Sequence, residues 1–216
     1  PDYLTEFGCT DIMIHTMERY FNMSENMELT DGISEALIKI VMKHSKILKE
    51  HPDCYESRAE VMWASSLSHN GLTGCGTDGG DWACHQLEHE IGGMFDVAHG
   101  AGLAAVWGSW ARYVYKARPE RFAKFARNIF DIQETDDEKA AVAGIEAMES
   151  YYRSVGMPTS LCELGIHATE EQIKEMADKC SFYGKRTVGV MRKIGAPEAA
   201  AIYRMANDKS IPLYSR

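Results

Sequence analysis

The sequence predicts an all-α fold, and three observations lead there. No run of alternating apolar and polar residues lies between turn residues, and β-branched residues rarely cluster, so strand signals are nearly absent. Apolar residues recur instead at helical spacing along most of the chain. Caps, prolines and glycines punctuate those runs at helix-like lengths. No internal repeat, low-complexity tract or linker divides the 216 residues. The expectation is therefore a single all-helical domain over 1–216, long enough to bury a core without staples.

The elements follow in chain order. Met13, Met17 and Phe21 step by four and predict a first helix. Thr30-Asp31 starts a second, carried by Ile33, Leu37, Ile40, Val41, Ile47 and Leu48. His51-Pro52 stops it, because the residue before a proline is driven out of the α region. A third covers Tyr55 to Leu72, with Val61, Met62 and Ser65 along it, and runs into the glycine-rich segment Gly71 to Gly80. That segment lacks the Lys-Ser/Thr ending and the preceding strand of a phosphate loop, so it reads as a turn. Asp81 is expected to cap a helix from Trp82 to about Ile91, ended by Gly92-Gly93. A further helix runs from near Val97 through Leu103, Val106, Trp110 and Tyr113. Thr135-Asp136-Asp137-Glu138 and Thr169-Glu170-Glu171-Gln172 have capping-box spacing, each before a long amphipathic run, and Pro197 to Ala206 reads as a last helix. Met13, Met17, Trp63 and Trp110 are expected in the core, where such side chains fill helical packing.

A formal net charge of -9 argues against nucleic acid or an anionic membrane surface as partner, since both reward clustered Lys and Arg. No stretch approaches the roughly 18 consecutive apolar residues of a membrane span. Cys9, Cys54, Cys75, Cys84, Cys162 and Cys180 show no C-x-x-C spacing, and no apolar leader opens the sequence, so free thiols in a reducing cytoplasm are expected. The chain opens on Pro1 with a helical pattern almost at once, which suggests a processed product or a piece of something longer.

On a helix, residues four apart stand nearly above one another, the natural spacing for two ligands of one ion. The chain offers this spacing twice: Asp11 and His15 in CTDIMIHTMERYF, and His85 and His89 in CHQLEHEIGGMFDVAHG. His99 follows the second pair beyond Gly92-Gly93 and can turn back toward the same point. Two readings compete. HQLEH alone matches the H-x-x-E-H zinc-peptidase motif, with His85 and His89 on zinc, Glu88 as general base, and Glu146, Glu149 or Glu163 as third ligand. The other takes one carboxylate and three imidazoles as ligands, a set that suits Fe(II) or Zn(II) and excludes metals that seek thiolates. It accounts for more of the chain. His44, His51 and His167 read as solvated surface residues, and His69, beside Asn70, as a satisfied core group or one that supports the ligands.

These motifs resemble the iron-containing, group III alcohol dehydrogenases. DIMIHTMERYF, DWACHQLEHE and DVAHGAGLA look like the catalytic C-terminal half of that family in its butanol dehydrogenase branch, and the resemblance extends to about Asn207. It implies a helical bundle with metal ligands at Asp11, His15, His85 and His99, and His89 as a non-ligand beside them, facing substrate and nicotinamide. It also implies Fe(II) or Zn(II) as the metal, NAD or NADP as hydride carrier, and a short primary alcohol such as butanol, or its aldehyde, as substrate. Glu88 and Ala98 stand where many members have Ala and Pro; neither is a ligand position. The family's N-terminal α/β domain, which binds the nucleotide through a Gly-rich turn, is expected to be absent from this chain. The full-length enzyme is expected to be a homodimer. A helical metal-binding module without turnover is the second expectation, and the zinc peptidase the third.

Overall fold

The computed structural model describes residues 2–208. Among these residues the chain is all-α: nine α-helices and three short 3₁₀ turns, with no strand and one isolated antiparallel bridge between Val188 and Ile194. No helix among the described residues is long and apolar enough to cross a membrane.

The helix α5 (His99–Val114) forms the centre. Its run Gly100 to Ala111 is small or apolar at nearly every position, and a helix that is apolar all round has to be enclosed. It is enclosed by α1 (Asp2–Tyr20), α4 (Ala83–Phe95), α7 (Asp137–Ser154) and α9 (Ala196–Asn207). Trp107 and Trp110 project from α5 into an aromatic cluster with Phe21, Phe122, Phe125 and Tyr152. Around this frame, α2 (Glu28–Glu50) packs on α1 and α3 (Tyr55–His69), α6 (Pro119–Phe130) packs on α7, and α8 (Glu170–Cys180) packs on α4 and α9.

Several elements match the sequence expectations. Met13, Met17 and Phe21 are fully buried along α1 and the residue after it. Thr169 caps α8 with a complete capping box, its side chain accepting from the Gln172 backbone N–H while Gln172 reaches back. The departures have physical causes. The α2 helix begins at Glu28, and Asp31 is no part of its cap; it is buried under Arg121 and Lys124, which donate to it at 2.5 and 2.6 Å. Ile40 faces outward at 38 % exposure. The α3 helix stops at His69, because Gly71 turns the chain into the left-handed region at φ 90°. The cap of α7 is Asp136, which accepts from the Lys139 N–H, and not Thr135. The α6 helix was not anticipated, although Pro119 at its first turn is a recognised start signal. Trp63 is 62 % exposed and does not belong to the core.

Two departures bear on the site. Asp81 does not cap α4. It is buried and accepts four hydrogen bonds, from Ala83 N–H, Trp110 Nε1–H, Val190 N–H and Met191 N–H, so it ties the start of α4 to α5 and to the loop over 188–194. The residue preceding α4 is Trp82, at φ 60°. The α4 helix also does not end at Gly92-Gly93; it continues to Phe95 and stops where Asp96 turns left-handed at φ 52°.

Candidate metal centre

Three helices bring the predicted ligands together. Asp11 and His15 lie one turn apart in the middle of α1, His85 in the first turn of α4, and His99 opens α5. Close backbone approaches set their positions. The chain before α4 passes so near α1 that a Cβ on Gly80, itself at φ 86°, would stand 2.4 Å from the Glu18 carbonyl oxygen. Only glycine fits that approach. The next residue, Asp81, donates its N–H to the same carbonyl at 2.7 Å, and α4 starts from there. The first turn of α5 presses on α1 in the same way: a Cβ on Gly100 would lie 2.2 Å from the Phe7 carbonyl oxygen. That contact carries the neighbouring His99 over Asp11.

Asp11 Oδ1 is the focus. It lies 3.5 Å from His85 Nε2, 3.7 Å from His99 Nε2 and 4.0 Å from His15 Nε2. Two donors bound to one ion at about 2.1 Å in a tetrahedral array stand about 3.4 Å apart, so the spacing suits a shared cation. Asp11 Oδ1, His85 Nε2 and His15 Nδ1 are also buried without a hydrogen-bond partner. Buried polar atoms are ordinarily paired. One carboxylate and three imidazoles form an oxygen and nitrogen set of the kind that takes Fe(II) or Zn(II).

Electrostatics sharpen the picture. Burial works against a charge on His85, but the nearby Asp11 carboxylate and the Glu18 carboxylate bonded to Nδ1 outweigh it and push the imidazole up to about 9. Burial, with His85 close by, pushes His15 down to about 4. Burial would raise the Asp11 carboxyl, yet His85 and the other imidazoles hold it below its ordinary range.

Two buried carboxylates stand behind the histidines, and sequence reasoning gave neither that place. Glu18 Oε1 accepts from the His85 backbone N–H at 2.8 Å and meets His85 Nδ1 at 3.0 Å. Glu88 Oε2 meets His99 Nδ1. Each contact leaves Nε2 of its histidine aimed at Asp11, the arrangement that orients metal-binding imidazoles in general. Glu88 was legible as the general base of HQLEH in the peptidase reading and as a departure from the family pattern, not as a partner of His99, and Glu18 carried no signal, because its partner lies 67 residues away.

His89 is exposed on the next turn of α4, its ring 5.8 Å from that of His99 and 6.4 Å from that of His85. Glu88, His89 and His99 form a second convergence beside that of Asp11, His15 and His85, and His99 links the two through the approach of its Nε2 to Asp11 Oδ1. Trp82 packs edge-on against His15 and His85 and carries Arg19 on its ring, which walls one side of the site. His69 also reaches the site, with Nε2 3.7 Å from Asp11 Oδ2. Of the histidines read as surface residues, His51 and His167 are exposed, while His44 is half-buried and bonded to Ser57 Oγ at 2.9 Å.

The peptidase arrangement is not assembled. Glu88 is 1 % exposed and engaged with His99, so it has no access to an attacking water. Glu149 is held by Arg112 and Glu163 pairs with Arg153, both apart from the histidines, and Glu146 lies near Arg112.

Comparison with known proteins gives the family of the chain. The model of the C-terminal part of the Fe-containing alcohol dehydrogenase family matches residues 6–206. The chain is 35 % identical over 206 residues to NADH-dependent butanol dehydrogenase A of Clostridium acetobutylicum, covering 94 % of this chain and 52 % of that protein. It is 29 % identical over 200 residues to the NADPH-dependent aldehyde reductase YqhD of Escherichia coli, covering 92 % of this chain and 51 % of the relative. The crystal structure of NADH-dependent butanol dehydrogenase A from Thermotoga maritima superposes with a TM-score of 0.90 at 34 % identity, over 96 % of this chain and 53 % of that one. This chain thus spans about half the length of the relatives it matches. It belongs to the Fe-containing alcohol dehydrogenase family and corresponds to the family's C-terminal part.

Proposed function

We propose that this chain is the metal-binding catalytic part of an NAD(P)-dependent alcohol dehydrogenase that interconverts short primary alcohols and their aldehydes. The observation that carries the reading is the convergence of His15, His85 and His99 on one oxygen of Asp11, where Asp11 Oδ1 and His85 Nε2 are buried and unpaired. Asp11, His15, His85 and His99 would hold a divalent ion, Fe(II) or Zn(II). When bound, that ion supplies Lewis acidity toward a substrate oxygen.

The chain's own residues do the rest. Glu18 and Glu88 hold the Nδ1 protons of His85 and His99 and keep both rings in one orientation. Partial desolvation beside its neighbours on α4 and α5 holds the His89 imidazole below its ordinary range, Glu88 opposes this, and His99 and His85 add to it. His89 is therefore neutral near pH 7 and is free to accept or return a proton at the exposed rim. The nicotinamide nucleotide, NAD or NADP, would be bound mainly by the N-terminal half that the relatives have beyond this chain's span, with His89 facing the nicotinamide. The full-length enzyme would be a homodimer in the cytoplasm.

Elemental analysis of anaerobically purified protein tests the site. Wild type is expected to hold about one Fe or Zn per chain, lost in Asp11→Ala and His99→Ala and largely retained in His89→Ala. Metal that depends on His89 and survives loss of Asp11 and His99 would sink the assignment. Oxidation of NADH or NADPH with butanal, measured on the chain joined to its nucleotide-binding half, separates a dehydrogenase from a metal-binding module without turnover.

A further inference from the structure

His69 ends α3, and the four-ligand set gives it no part. Its ring lies against that of His15, with centroids 3.9 Å apart, and its Nε2 stands 3.7 Å from Asp11 Oδ2. That oxygen is not the one His15, His85 and His99 approach, which is Oδ1. A single carboxylate therefore has imidazole nitrogens gathered at both of its oxygens.

The other ring nitrogen of His69 is committed. Nδ1 lies 3.1 Å from the Ser65 carbonyl oxygen and 2.7 Å from Ser68 Oγ. A carbonyl can only accept, and the Ser68 hydroxyl donates to that same carbonyl at 2.9 Å. The ring proton therefore sits on Nδ1, and the neutral imidazole presents a bare lone pair at Nε2. Two lone-pair atoms facing one another repel unless a proton or a metal ion lies between them. The ring is also held in place: Arg19, on α1, donates to the Ser68 carbonyl, tying the end of α3 to the helix that carries Asp11 and His15. At 40 % side-chain exposure, His69 is reachable from solvent and contributes little to the core.

We propose that His69 Nε2 is a fifth protein donor to the metal ion held by Asp11, His15, His85 and His99. The inference rests on the reading of those four as ligands. It makes Asp11 the hinge of the centre, with Oδ1 toward three histidines and Oδ2 toward the fourth. Five protein donors exceed the four that structural zinc sites ordinarily take, so the set favours Fe(II), which accepts more.

The test compares Fe(II) and Co(II) affinities by chelator competition under anaerobic conditions for wild type, His69→Ala, His69→Gln and Asp11→Ala, with circular dichroism to check folding. Both His69 variants are expected to keep one metal site but to bind Fe(II) about tenfold or more weakly, in the range typical of losing a supporting group at a metal site. The visible absorption of bound Co(II) is expected to strengthen as its coordination number falls. Affinities within twofold of wild type and an unchanged Co(II) spectrum, alongside loss of metal in Asp11→Ala, would overturn the fifth donor and leave the four-ligand centre standing. A wild-type protein that takes up neither metal would remove both, and so the two failures are distinguishable.

Discussion

His85 and His99 face the same oxygen of Asp11 and each is backed by a buried glutamate, but their surroundings differ sharply. The His85 side chain is 6 % exposed and that of His99 is 42 % exposed. His85 is fixed twice by Glu18, through its backbone N–H and through Nδ1, and Glu18 sits on α1 with Asp11 and His15. His99 is fixed once, by Glu88, across the gap between α4 and α5. The contrast divides the proposed centre into a closed floor, built on α1 and the first turn of α4, and an open rim, where His99 and the exposed His89 meet solvent. A substrate has to arrive at the rim, so the floor can be rigid and the rim is where adjustment costs least.

The largest expected effect lies in the floor. In Glu18→Ala the His85 N–H and Nδ1 lose their acceptor in a site closed to water, and an unsatisfied buried donor costs about 1–3 kcal/mol. Metal affinity is expected to fall about a hundredfold, the upper end for lost partners of ligating histidines. Denaturant unfolding of the metal-free protein and chelator competition measure the two effects. Glu18→Gln, which keeps an acceptor oxygen, should recover most of the stability. If Glu18→Ala leaves both quantities at wild-type values, the closed floor is not what fixes His85.

A pH series asks the same question without mutation. With Asp11 and Glu18 holding its proton, His85 stays charged up to about 9 in the metal-free protein. A ligating imidazole must be neutral, so capture of the ion releases that proton. Apparent metal affinity is therefore expected to rise about tenfold per unit from pH 7 to pH 9 and then flatten. His15, pushed down to about 4, is already neutral and adds no slope in this range. The stability of the metal-free fold should run the other way. A histidine raised on folding stabilises fully below its unfolded value of about 6.5, and that contribution is lost as pH climbs toward the folded value. Opposite slopes are the signature; parallel slopes would place the titrating group elsewhere.

The ligand candidates were legible in the sequence because helical geometry repeats every turn: i, i+4 pairs declare themselves wherever the period is clear. The Thr169 capping box is local in the same sense. What stayed hidden was tertiary. Asp81 precedes a helix and looks like a cap, yet its oxygens serve Trp110 and the backbone at Val190 and Met191, which no local pattern reveals. Gly92-Gly93 looks like a stop, and α4 passes through it. The reason is room: a Cβ on Gly92 would come within 3.0 Å of Glu88 Oε1. Trp63 was placed in the core by residue type alone, and its face of α3 meets solvent.

The smallest of these effects belongs to the rim. Glu88→Ala is expected to weaken metal binding about tenfold, at the lower end for such partners, because water can reach the exposed His99 and replace the lost acceptor. A second variant isolates the contact. A Cβ on Gly102 would stand 2.6 Å from Glu88 Oε1 and 2.9 Å from its Cγ, so Gly102→Ala must push the glutamate away from His99. Its effect on affinity should match that of Glu88→Ala, and the double variant should be no worse than either, since both act through one contact. Losses that multiply would mean that Gly102 acts on the centre by another route. If Glu88→Ala costs as much as Glu18→Ala, the rim is as tightly determined as the floor, and the division of the centre fails.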